Sequence, residues 1–429
     1  LLRTILQESS IHGVRWLSNG NHHWMEKCSW FVVITVAMVL LYGTCIEHWI
    51  RFKDNPTVLS LETDYQNWNF RLPAVTVCSE YVDYNAVDRI IAREWNLLSN
   101  DTNYSYYQRF LITLATASLS ELYKFKIYEN DSTLDSINQL ELVKEIKSTL
   151  KLPSDYFEFV LTEMGLCYST TKLYRLQNPS RNTTMSAPKM ITKTCRSHDI
   201  CYLDVVPSFS DKSSYVKIYI HSEDEVAITE TQYEVIGSTV LNLQLTIDQR
   251  VSHKSVKKIS FHSRRCLFPD ESKSPYFDIY TMNLCKTTCR IQKSLEYCGC
   301  IPFLYNVVEA GPVCNITGLI CLNHFYQNWF KTECNCPKLC ESIVFKKMST
   351  KNWKTNQFNR KLHISLIYPK TRTRMSVIYS ILDLIVSFGG AAGLYLGCSF
   401  ISIVEFVYFI AEYLIGILMK RKNLRHQMD

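Results

Sequence analysis

Residues 28–46 read CSWFVVITVAMVLLYGTCI, a run of 19 residues without a charged side chain. As an α-helix this run is about 28 Å long, close to the ~30 Å hydrocarbon core of a bilayer. A secretory signal is the alternative, but its apolar region has about 7–15 residues and ends at a small-residue cleavage site. Here Glu47, His48 and Trp49 follow the run. We therefore predict a first transmembrane helix over residues 28–49.

A second apolar segment lies near the other end of the chain. Residues 384–404 are uncharged, and apolar sequence resumes as far as residue 419. A buried core helix is the alternative interpretation. The length of the segment and the basic sequence KRKNLR at 420–425 favour a second transmembrane segment, which we assign to residues 375–419.

Basic residues flank both segments on their terminal sides. Arg3, Arg15 and Lys27 precede the first, and the run at 420–425 follows the second. The positive-inside rule then predicts that residues 1–27 and 420–429 are cytosolic. We therefore expect a multi-pass protein of the plasma membrane whose residues 50–374 form an extracellular domain large enough to bury its own core.

The cysteines support this topology. Fourteen of the 17 lie between the two segments, and ten of these lie from Cys266 to Cys340. An even, clustered set outside the cell predicts disulfides, although CxC and CxxxC spacings can also hold zinc. We expect no structural metal and a disulfide-stapled lobe over residues 266–340. Counting alone leaves the pairing open.

Secondary structure between the segments is mixed. Alternating apolar residues predict strands at 215–220 and 240–247, and helical spacing predicts helices at 134–150, 278–295 and 323–332. The predicted fold class is an α+β membrane protein with two transmembrane helices and a large, disulfide-rich, β-rich extracellular domain that carries a helical lobe.

Glycosylation sequons occur only between the two segments, which agrees weakly with an extracellular location. The candidate acceptors are Asn100, Asn103, Asn130, Asn182 and Asn315.

Several function classes are disfavoured by composition and motifs. The net charge of +7 is modest for 429 residues and gives no reason to expect nucleic acid as a partner. The sequence carries no HExxH, GxSxG, phosphate-loop or EF-hand motif. We predict neither enzymatic activity nor a cofactor.

Small residues recur in the second apolar segment. Gly389, Gly393 and Gly397 are four residues apart, which places them on one face of a continuous helix. In a bilayer, this spacing lets helices approach closely, so ordinary helix packing is one interpretation.

Polar side chains follow these glycines. Ser399, Ser402 and Glu405 recur at steps of three, on one side of a helix. A carboxylate at membrane depth is costly and usually faces a water-filled path, and oxygen ligands suit hard cations. The pattern favours a cation pore over a receptor whose second segment only packs.

Residues 387–409, SFGGAAGLYLGCSFISIVEFVYF, resemble the second span of the degenerin/epithelial sodium channel family. Three further motifs of that family follow its order: SIHG at 10–13, LPAVTVC at 72–78 and GLCY at 165–168. The ordered set covers almost the whole chain and is most similar to the insect pickpocket subgroup.

This resemblance implies a trimeric, sodium-preferring, amiloride-sensitive and voltage-independent channel, gated through its extracellular domain by a stimulus that the sequence does not reveal. Its partners would be the bilayer and subunits of the same family, in a homo- or heterotrimer. Na⁺ would pass transiently, and the helical lobe would be the family's thumb.

The resemblance also implies residue roles. It assigns the selectivity filter to Gly397, Cys398 and Ser399, and a lower-pore HG motif to His12 and Gly13. The family's degenerin position, usually a small residue, corresponds to Val386. Bulk at that position props the family's pore open. Ser402, Glu405, Gly389 and Gly393 would line or adjoin the pore.

The family pattern further implies the disulfide pairing. The implied pairs are Cys78–Cys167, Cys266–Cys340, Cys285–Cys336, Cys289–Cys334, Cys298–Cys321 and Cys300–Cys314, which leaves Cys195 to pair with Cys201.

Rival functions remain at this stage. A non-conducting accessory subunit or two-span receptor needing a partner subunit would keep the extracellular domain without the line of Ser399 and Glu405. An ATP-gated trimeric channel should carry a basic phosphate-binding cluster near the first span, which we do not find. A tethered extracellular enzyme is disfavoured because the sequence lacks a catalytic constellation.

Overall fold

The structure is a computed structural model. It describes residues 12–18, 23–147, 157–171, 194–196, 201–206, 215–236, 239–271, 274–277, 279–308, 310–354, 361–402, 404–405, 407–412 and 415–416. The chain divides into two compact units. The first comprises Leu1–Leu59, His253–Arg264 and Met375–Asp429, and the second comprises Ser60–Ser252 and Arg265–Arg374.

The described α-helices are α1 (Val14–Ser18), α2 (Trp24–Asp54), α3 (Tyr84–Glu94), α4 (Tyr104–Ala115), α5 (Gln139–Lys147), α6 (Phe261–Arg264), α7 (Met282–Cys298), α8 (Ile316–His324), α9 (Tyr326–Trp329), α10 (Ile381–Leu396) and α11 (Phe400–Glu412). Short 3₁₀ helices cover Tyr65–Asn67, Leu119–Tyr128, Ser132–Leu134, Lys254–Lys258 and Phe303–Val308.

The described strands are β1 (Thr57–Glu62), β2 (Phe70–Arg71), β3 (Ala74–Ser79), β4 (Glu158–Thr162), β5 (Gly165–Ser169), β6 (Thr194–Cys195), β7 (Tyr202–Val205), β8 (Val216–His221), β9 (Tyr233–Ile236), β10 (Thr239–Ser252), β11 (Ser342–Lys354), β12 (Lys361–Ile367) and β13 (Arg372–Val377).

The first unit is built on α2. This helix has 31 residues, a mean hydropathy of 2.1 in its most apolar window and no buried side chain in that window, so it is long and apolar enough to cross a membrane. It extends beyond both bounds of the predicted 28–49. Helix formers such as Glu26 and Lys27 continue it at its start, and Pro56 disfavours helix at the residue before it.

The second apolar segment differs from the prediction of one transmembrane segment over residues 375–419. Strand β13 continues to Val377, and α10 begins only at Ile381. Ser380 fixes this start, because its hydroxyl accepts the Asp383 N–H while the Asp383 carboxylate accepts the Ser380 N–H. Helices α10 and α11 are bent by 82° at a short break, and only the two together are long and apolar enough to cross a membrane as one span. Residues 417–429, with the predicted cytosolic tail, lie outside the described residues.

The described strands form three sheets. The largest has the order β1-β13-β10-β12-β7 with β11 paired to β10, the next has the order β4-β5-β3-β8-β9, and β2 pairs with β6. Strand β10 is antiparallel to β11 and parallel to β12, with an irregularity between Gln244 and Leu245. The strands predicted at 215–220 and 240–247 are confirmed as β8 and β10.

Alternating apolar residues of these strands share one core. Val75 and Val77 of β3 lie in the same cluster as Leu241, Leu243 and Leu245 of β10. Because successive side chains of a strand point to opposite faces, this spacing buries one face of each sheet.

A second core lies within the helical part of this unit. It contains side chains of α3, α4, α5, α7, α8 and α9, with Trp329 among its largest fully buried members.

The predicted helix bounds in this region need correction. Thr281 caps the start of α7 by accepting the Leu284 N–H at 3.1 Å, and Gly299 ends it at a φ of +67°, so the helix is shifted from 278–295. Asn315 starts α8 by accepting the Gly318 N–H, which makes Ile316–His324 the main helix instead of 323–332. Of the prediction over 134–150, only Gln139–Lys147 is described as α-helix.

Seven disulfides cross-link the second unit, and they join the same pairs that the resemblance implies. They are Cys78–Cys167, Cys195–Cys201, Cys266–Cys340, Cys285–Cys336, Cys289–Cys334, Cys298–Cys321 and Cys300–Cys314. Cys28, Cys45 and Cys398 carry free thiols. Cys285 and Cys289 are four residues apart on one face of α7, so their two disulfides hold the segment 334–336 along this helix.

A buried ion pair joins distant parts of the second unit. Glu163, in the turn between β4 and β5, receives two hydrogen bonds from Arg290 Nη1 at 2.7 and 2.8 Å. The Tyr305 and Thr229 hydroxyls donate to the same carboxylate at 2.6 and 3.0 Å. Removal of one partner from such a buried pair typically costs about 3–5 kcal/mol, because the other charge stays buried. The turn, α7 and two loops are therefore fixed together.

A row of buried polar side chains crosses the sheet of β3. The His221 ring donates from Nδ1 to the Ser222 carbonyl at 2.9 Å, which leaves Nε2 to accept the Thr76 hydroxyl at 2.8 Å. The Thr76 oxygen lies 2.8 Å from the Ser169 hydroxyl. Burial lowers the pKa of His221 from 6.5 to about 4, so this ring stays neutral at physiological pH.

This histidine should make the domain sensitive to acid. The unfolded chain binds a proton on His221 below pH 6.5, whereas the folded chain does so only near pH 4, so stability should fall as pH falls between these values. The difference between the two pKa values corresponds to a loss of roughly 3 kcal/mol from the free energy of unfolding. We expect the melting temperature of the purified full chain to fall as the pH is lowered from 6.5 to about 4, and to fall less in His221→Gln than in the wild type.

The exposed His324 provides the matched control. We expect His324→Gln to keep the pH dependence of the wild type. An unchanged pH dependence in His221→Gln would show that His221 is not the group responsible.

Candidate functional site

The candidate site is the break between α10 and α11, residues 397–399. Helix α10 ends at Gly397, whose φ of +66° is the left-handed conformation that favours glycine. The Gly397 N–H donates to the Gly393 carbonyl at 3.0 Å, and the Cys398 N–H donates to the Ala392 carbonyl at 3.3 Å. These bonds satisfy carbonyls that a helix end leaves without intrahelical partners. Gly397 therefore ends the helix and does not continue the helical face of Gly389 and Gly393.

Ser399 starts the next helix. Its hydroxyl accepts the Ser402 N–H at 3.3 Å, and the Ser402 hydroxyl accepts the Ser399 N–H at 3.1 Å. This reciprocal arrangement is a helix N-terminal cap. Ser399 thus caps the start of α11, Ser402 and Glu405 lie within this helix, and the Ser399 and Ser402 hydroxyls are 3.3 Å apart.

His12 lies against this break. Its backbone N–H donates to the Leu396 carbonyl at 3.0 Å, the last carbonyl of α10. A Cβ built on Gly397 would lie 1.5 Å from His12 Nδ1, so the imidazole occupies the space that any other residue at 397 would need. The structure therefore brings together two motifs that are separated by almost 400 residues.

Gly13 connects the same segment to α2. Its φ is +83°, and a Cβ at this position would lie 3.2 Å from Ile34 Cδ1 and from Trp30 Cε3. Trp30 also stacks on Trp16 of α1, with ring centroids 6.2 Å apart. The HG motif is thus held on one side by α2 and on the other by the helix break.

Three residues that the sequence analysis did not single out join α2 to the start of α10. The Tyr379 hydroxyl lies 2.8 Å from His48 Nδ1 and donates to the Ser387 hydroxyl at 2.7 Å. The rings of His48 and Tyr379 are nearly parallel, with centroids 6.0 Å apart. The sequence indicates this contact only through the polar and aromatic residues that lie at the ends of the two apolar segments.

The remaining predicted residues lie along α10 and α11. A Cβ on Gly389 would meet no described atom within 4 Å, whereas one on Gly393 would lie 3.5 Å from the Cys398 carbonyl oxygen. The Val386 side chain is 67% exposed, and Glu405 is also exposed.

The polar groups at the break include oxygen atoms, which can act as ligands for a cation. Hydroxyl and carbonyl oxygens without a dedicated set of charged ligands can replace part of the hydration shell of a hard cation without trapping it. Among the described residues, no group of three or more His, Cys, Asp or Glu side chains could hold a metal ion.

The sequon asparagines that the structure describes are all exposed. These are Asn100, Asn103, Asn130 and Asn315. Asn182 lies outside the described residues.

Comparison with known proteins identifies the family of the chain. A sequence model of the family described as "Amiloride-sensitive sodium channel" matches residues 5–409, nearly the whole chain. The chain belongs to this family. The resemblance to the degenerin/epithelial sodium channel family is thereby confirmed, and with it the prediction that the chain is not an enzyme.

Relatives in this family are similar along most of their length. "Sodium channel protein Nach" of Drosophila ananassae is 22% identical over 94% of this chain and 85% of its own. "Pickpocket protein 11" of Drosophila melanogaster is 23% identical over 94% and 74%, and the "Bile acid-sensitive ion channel" of Rattus norvegicus is 25% identical over 94% and 86%. The chain is therefore similar to most of the length of several members of a family of membrane channels.

The contact between His12 and Gly397 generates a prediction for this channel-family chain. In Gly397→Ala the new Cβ would overlap the His12 imidazole. The alanine would also have to adopt the left-handed backbone of Gly397, which costs an L-residue about 1–2 kcal/mol. We expect Na⁺ current in cells expressing the variant to fall about tenfold or more at equal surface expression.

Gly43→Ala is the matched control, because a Cβ there meets no described atom within 4 Å on α2. Its current should equal that of the wild type. His12→Ala/Gly397→Ala removes the overlap but not the backbone strain, and should recover part of the loss. Wild-type current in Gly397→Ala would contradict the proposed role of this contact.

Proposed function

We propose that this chain is a pore-forming subunit of a trimeric, sodium-preferring, amiloride-sensitive and voltage-independent cation channel of the plasma membrane. The observation that carries the proposal is the break at 397–399 in an otherwise apolar helix pair. Gly397, in the left-handed conformation, ends α10, and Ser399 caps the start of α11. The His12 N–H donates to the last carbonyl of α10.

We assign the selectivity filter to Gly397, Cys398 and Ser399. Three copies around an axis would present backbone carbonyls and the Ser399 hydroxyl to a partly dehydrated Na⁺, which leaves again because no copy supplies a full ligand set. Ser402 and Glu405, one and two turns further along α11, would line the path beyond the filter. A carboxylate there raises the local concentration of cations.

The membrane topology is part of this proposal. Both termini are cytosolic, and the chain between α2 and α10 is extracellular. Seven disulfides favour an oxidising compartment for that part of the chain, and the four exposed sequon asparagines would be accessible to glycosylation there. His12 and Gly13 then approach the filter from the cytosolic side.

Gating through the extracellular domain is supported by its rigidity. The disulfides of α7 and the buried pair of Glu163 and Arg290 resist deformation, so a shift at the surface of the domain is transmitted as a whole. The stimulus acts by binding one of two states more tightly. Partner subunits are copies of this chain or other members of its family, whose relatives include "Epithelial sodium channel subunit gamma" of Mus musculus.

The proposed function predicts a current with a defined blocker and filter. Cells expressing the chain should carry an inward current that disappears when Na⁺ is replaced by a large organic cation and that amiloride blocks. Ser399→Ala removes a filter hydroxyl and the cap of α11, and should shift the reversal potential between Na⁺ and K⁺ or lower the current.

Ser349→Ala is a suitable control, because Ser349 lies on β11 in the second unit, which contains neither α2 nor α10. It should leave selectivity unchanged. A surface-expressed chain without current, alone and together with other family subunits, would instead favour a non-conducting accessory subunit.

The bulk of Val386 generates a prediction for gating. Its β-branched side chain is stiff, larger than Ala or Ser, and exposed on α10, eleven residues before the filter. We expect Val386→Ala to reduce basal current several-fold without changing reversal potential, because a smaller side chain favours the closed state. Leu394→Ala, at another exposed position on the same helix, is the comparison. Unchanged basal current in Val386→Ala would remove this residue from gating.

A further inference from the structure

His253–Arg264, named here the basic segment, reads HKSVKKISFHSR. It contains three lysines, one arginine and two histidines but no acidic residue, although the chain as a whole has 40 acidic residues. None of the motifs used above includes it. In the structure it belongs to the same compact unit as α2 and α10.

The basic segment has a fixed local structure. Val256 is fully buried, and the buried guanidinium of Arg264 donates from Nη1 to the Lys257 and Ile259 carbonyls at 3.2 and 2.9 Å. His253 starts the 3₁₀ helix through its ring, which accepts the Ser255 N–H at 3.3 Å. The segment is therefore folded around its own backbone, and most of its other side chains, including all three lysines, are exposed.

The outward side chains are cationic and apolar. Lys254, Lys258 and His262 are exposed, and Phe261 is 37% exposed. Exposed lysines and an exposed aromatic side chain within one short segment are a combination found at the level of lipid headgroups.

The basic segment lies close to the ends of the membrane helices. The His253 N–H donates to the Met375 carbonyl at 2.8 Å. Tyr379 follows Met375 by four residues, which is at most about 14 Å of extended chain. The Tyr379 N–H in turn donates to the Pro56 carbonyl at 3.2 Å, just beyond the end of α2.

The same end of the unit carries the signs of a membrane interface. Helix α10 exposes apolar side chains from its first residue, Ile381, which is 66% exposed. At the matching end of α2, Trp49 is half-exposed and Arg51 and Lys53 are exposed. Tryptophan and basic residues are typical where the hydrocarbon core meets the headgroups.

We propose that the basic segment lies on the outer membrane surface and binds the phosphates of phospholipid headgroups through Lys254 and Lys258, while Phe261 enters the interface. This proposal rests on the membrane topology given under the proposed function. Charge complementarity identifies the partner, because headgroup phosphates are the anions present at that depth on every side of the protein. It gives the channel a direct contact with the outer leaflet beyond its membrane helices.

The test uses the full chain with Phe261→Trp, reconstituted in phosphatidylcholine vesicles that contain phosphatidylglycerol. Lipids brominated in the upper acyl chain quench tryptophan at the interface. We expect Phe261→Trp to add quenched fluorescence beyond that of the wild type. Brominated phosphatidylglycerol should quench it more strongly than brominated phosphatidylcholine. Adding Lys254→Gln/Lys258→Gln should reduce this preference about fivefold for each lysine removed.

Lys126→Gln/Lys144→Gln is the matched control, because it removes two exposed lysines from the unit without membrane helices. It should keep the preference for phosphatidylglycerol. A preference that survives Lys254→Gln/Lys258→Gln, or that the control abolishes equally, would overturn the proposal. The same conclusion would follow if neither lipid quenched the fluorescence that Phe261→Trp adds.

The tryptophans of α2 separate this outcome from failure of the proposed topology. If brominated lipids do not quench wild-type Trp30 and Trp49, α2 is not in the bilayer and the topology itself is wrong. If Phe261→Trp does not fold, the melting temperature provides the readout. Phosphatidylglycerol should raise it in the wild type more than in Lys254→Gln/Lys258→Gln, and an equal rise in both would contradict the proposal.

Discussion

A backbone N–H or C=O group that is removed from water must find a partner within the protein, and this constraint accounts for the contacts around residues 396–402. A break in a spanning helix exposes carbonyls and N–H groups that lipid cannot satisfy. In this chain the Leu396 carbonyl receives the His12 N–H, and two serines cap the restarted helix. The segment at His12 is therefore a structural part of the break between α10 and α11.

The second unit, which comprises Ser60–Ser252 and Arg265–Arg374, depends on a different constraint, the rigidity of a large domain. Covalent and buried polar links supply that rigidity. The disulfides of Cys285 and Cys289 tie one face of α7 to the segment 334–336, and Arg290 on the same helix holds the carboxylate of the β4–β5 turn. Since α7 takes part in both, it is the element through which the helical core and the sheets are coupled.

The bounds of several elements depended on caps that periodicity does not detect. Apolar spacing at 278–295 and 323–332 identified helical regions correctly in kind but misplaced their ends, because Thr281 and Asn315 start the helices through side-chain hydrogen bonds. The same limitation affected Gly397. Its four-residue spacing from Gly393 indicated a helical face, whereas its left-handed backbone ends the helix.

Local periodicity and ordered motifs were sufficient to predict the apolar helix α2, strands β8 and β10, and membership of the amiloride-sensitive sodium channel family. Tertiary structure alone decided that His12 occupies the space beside Gly397, that Tyr379 bonds to His48, and that Glu163 pairs with Arg290. Each of these contacts joins residues more than 100 positions apart, and no local pattern encodes such a distance. Only the packed chain brings their side chains within hydrogen-bonding or van der Waals reach.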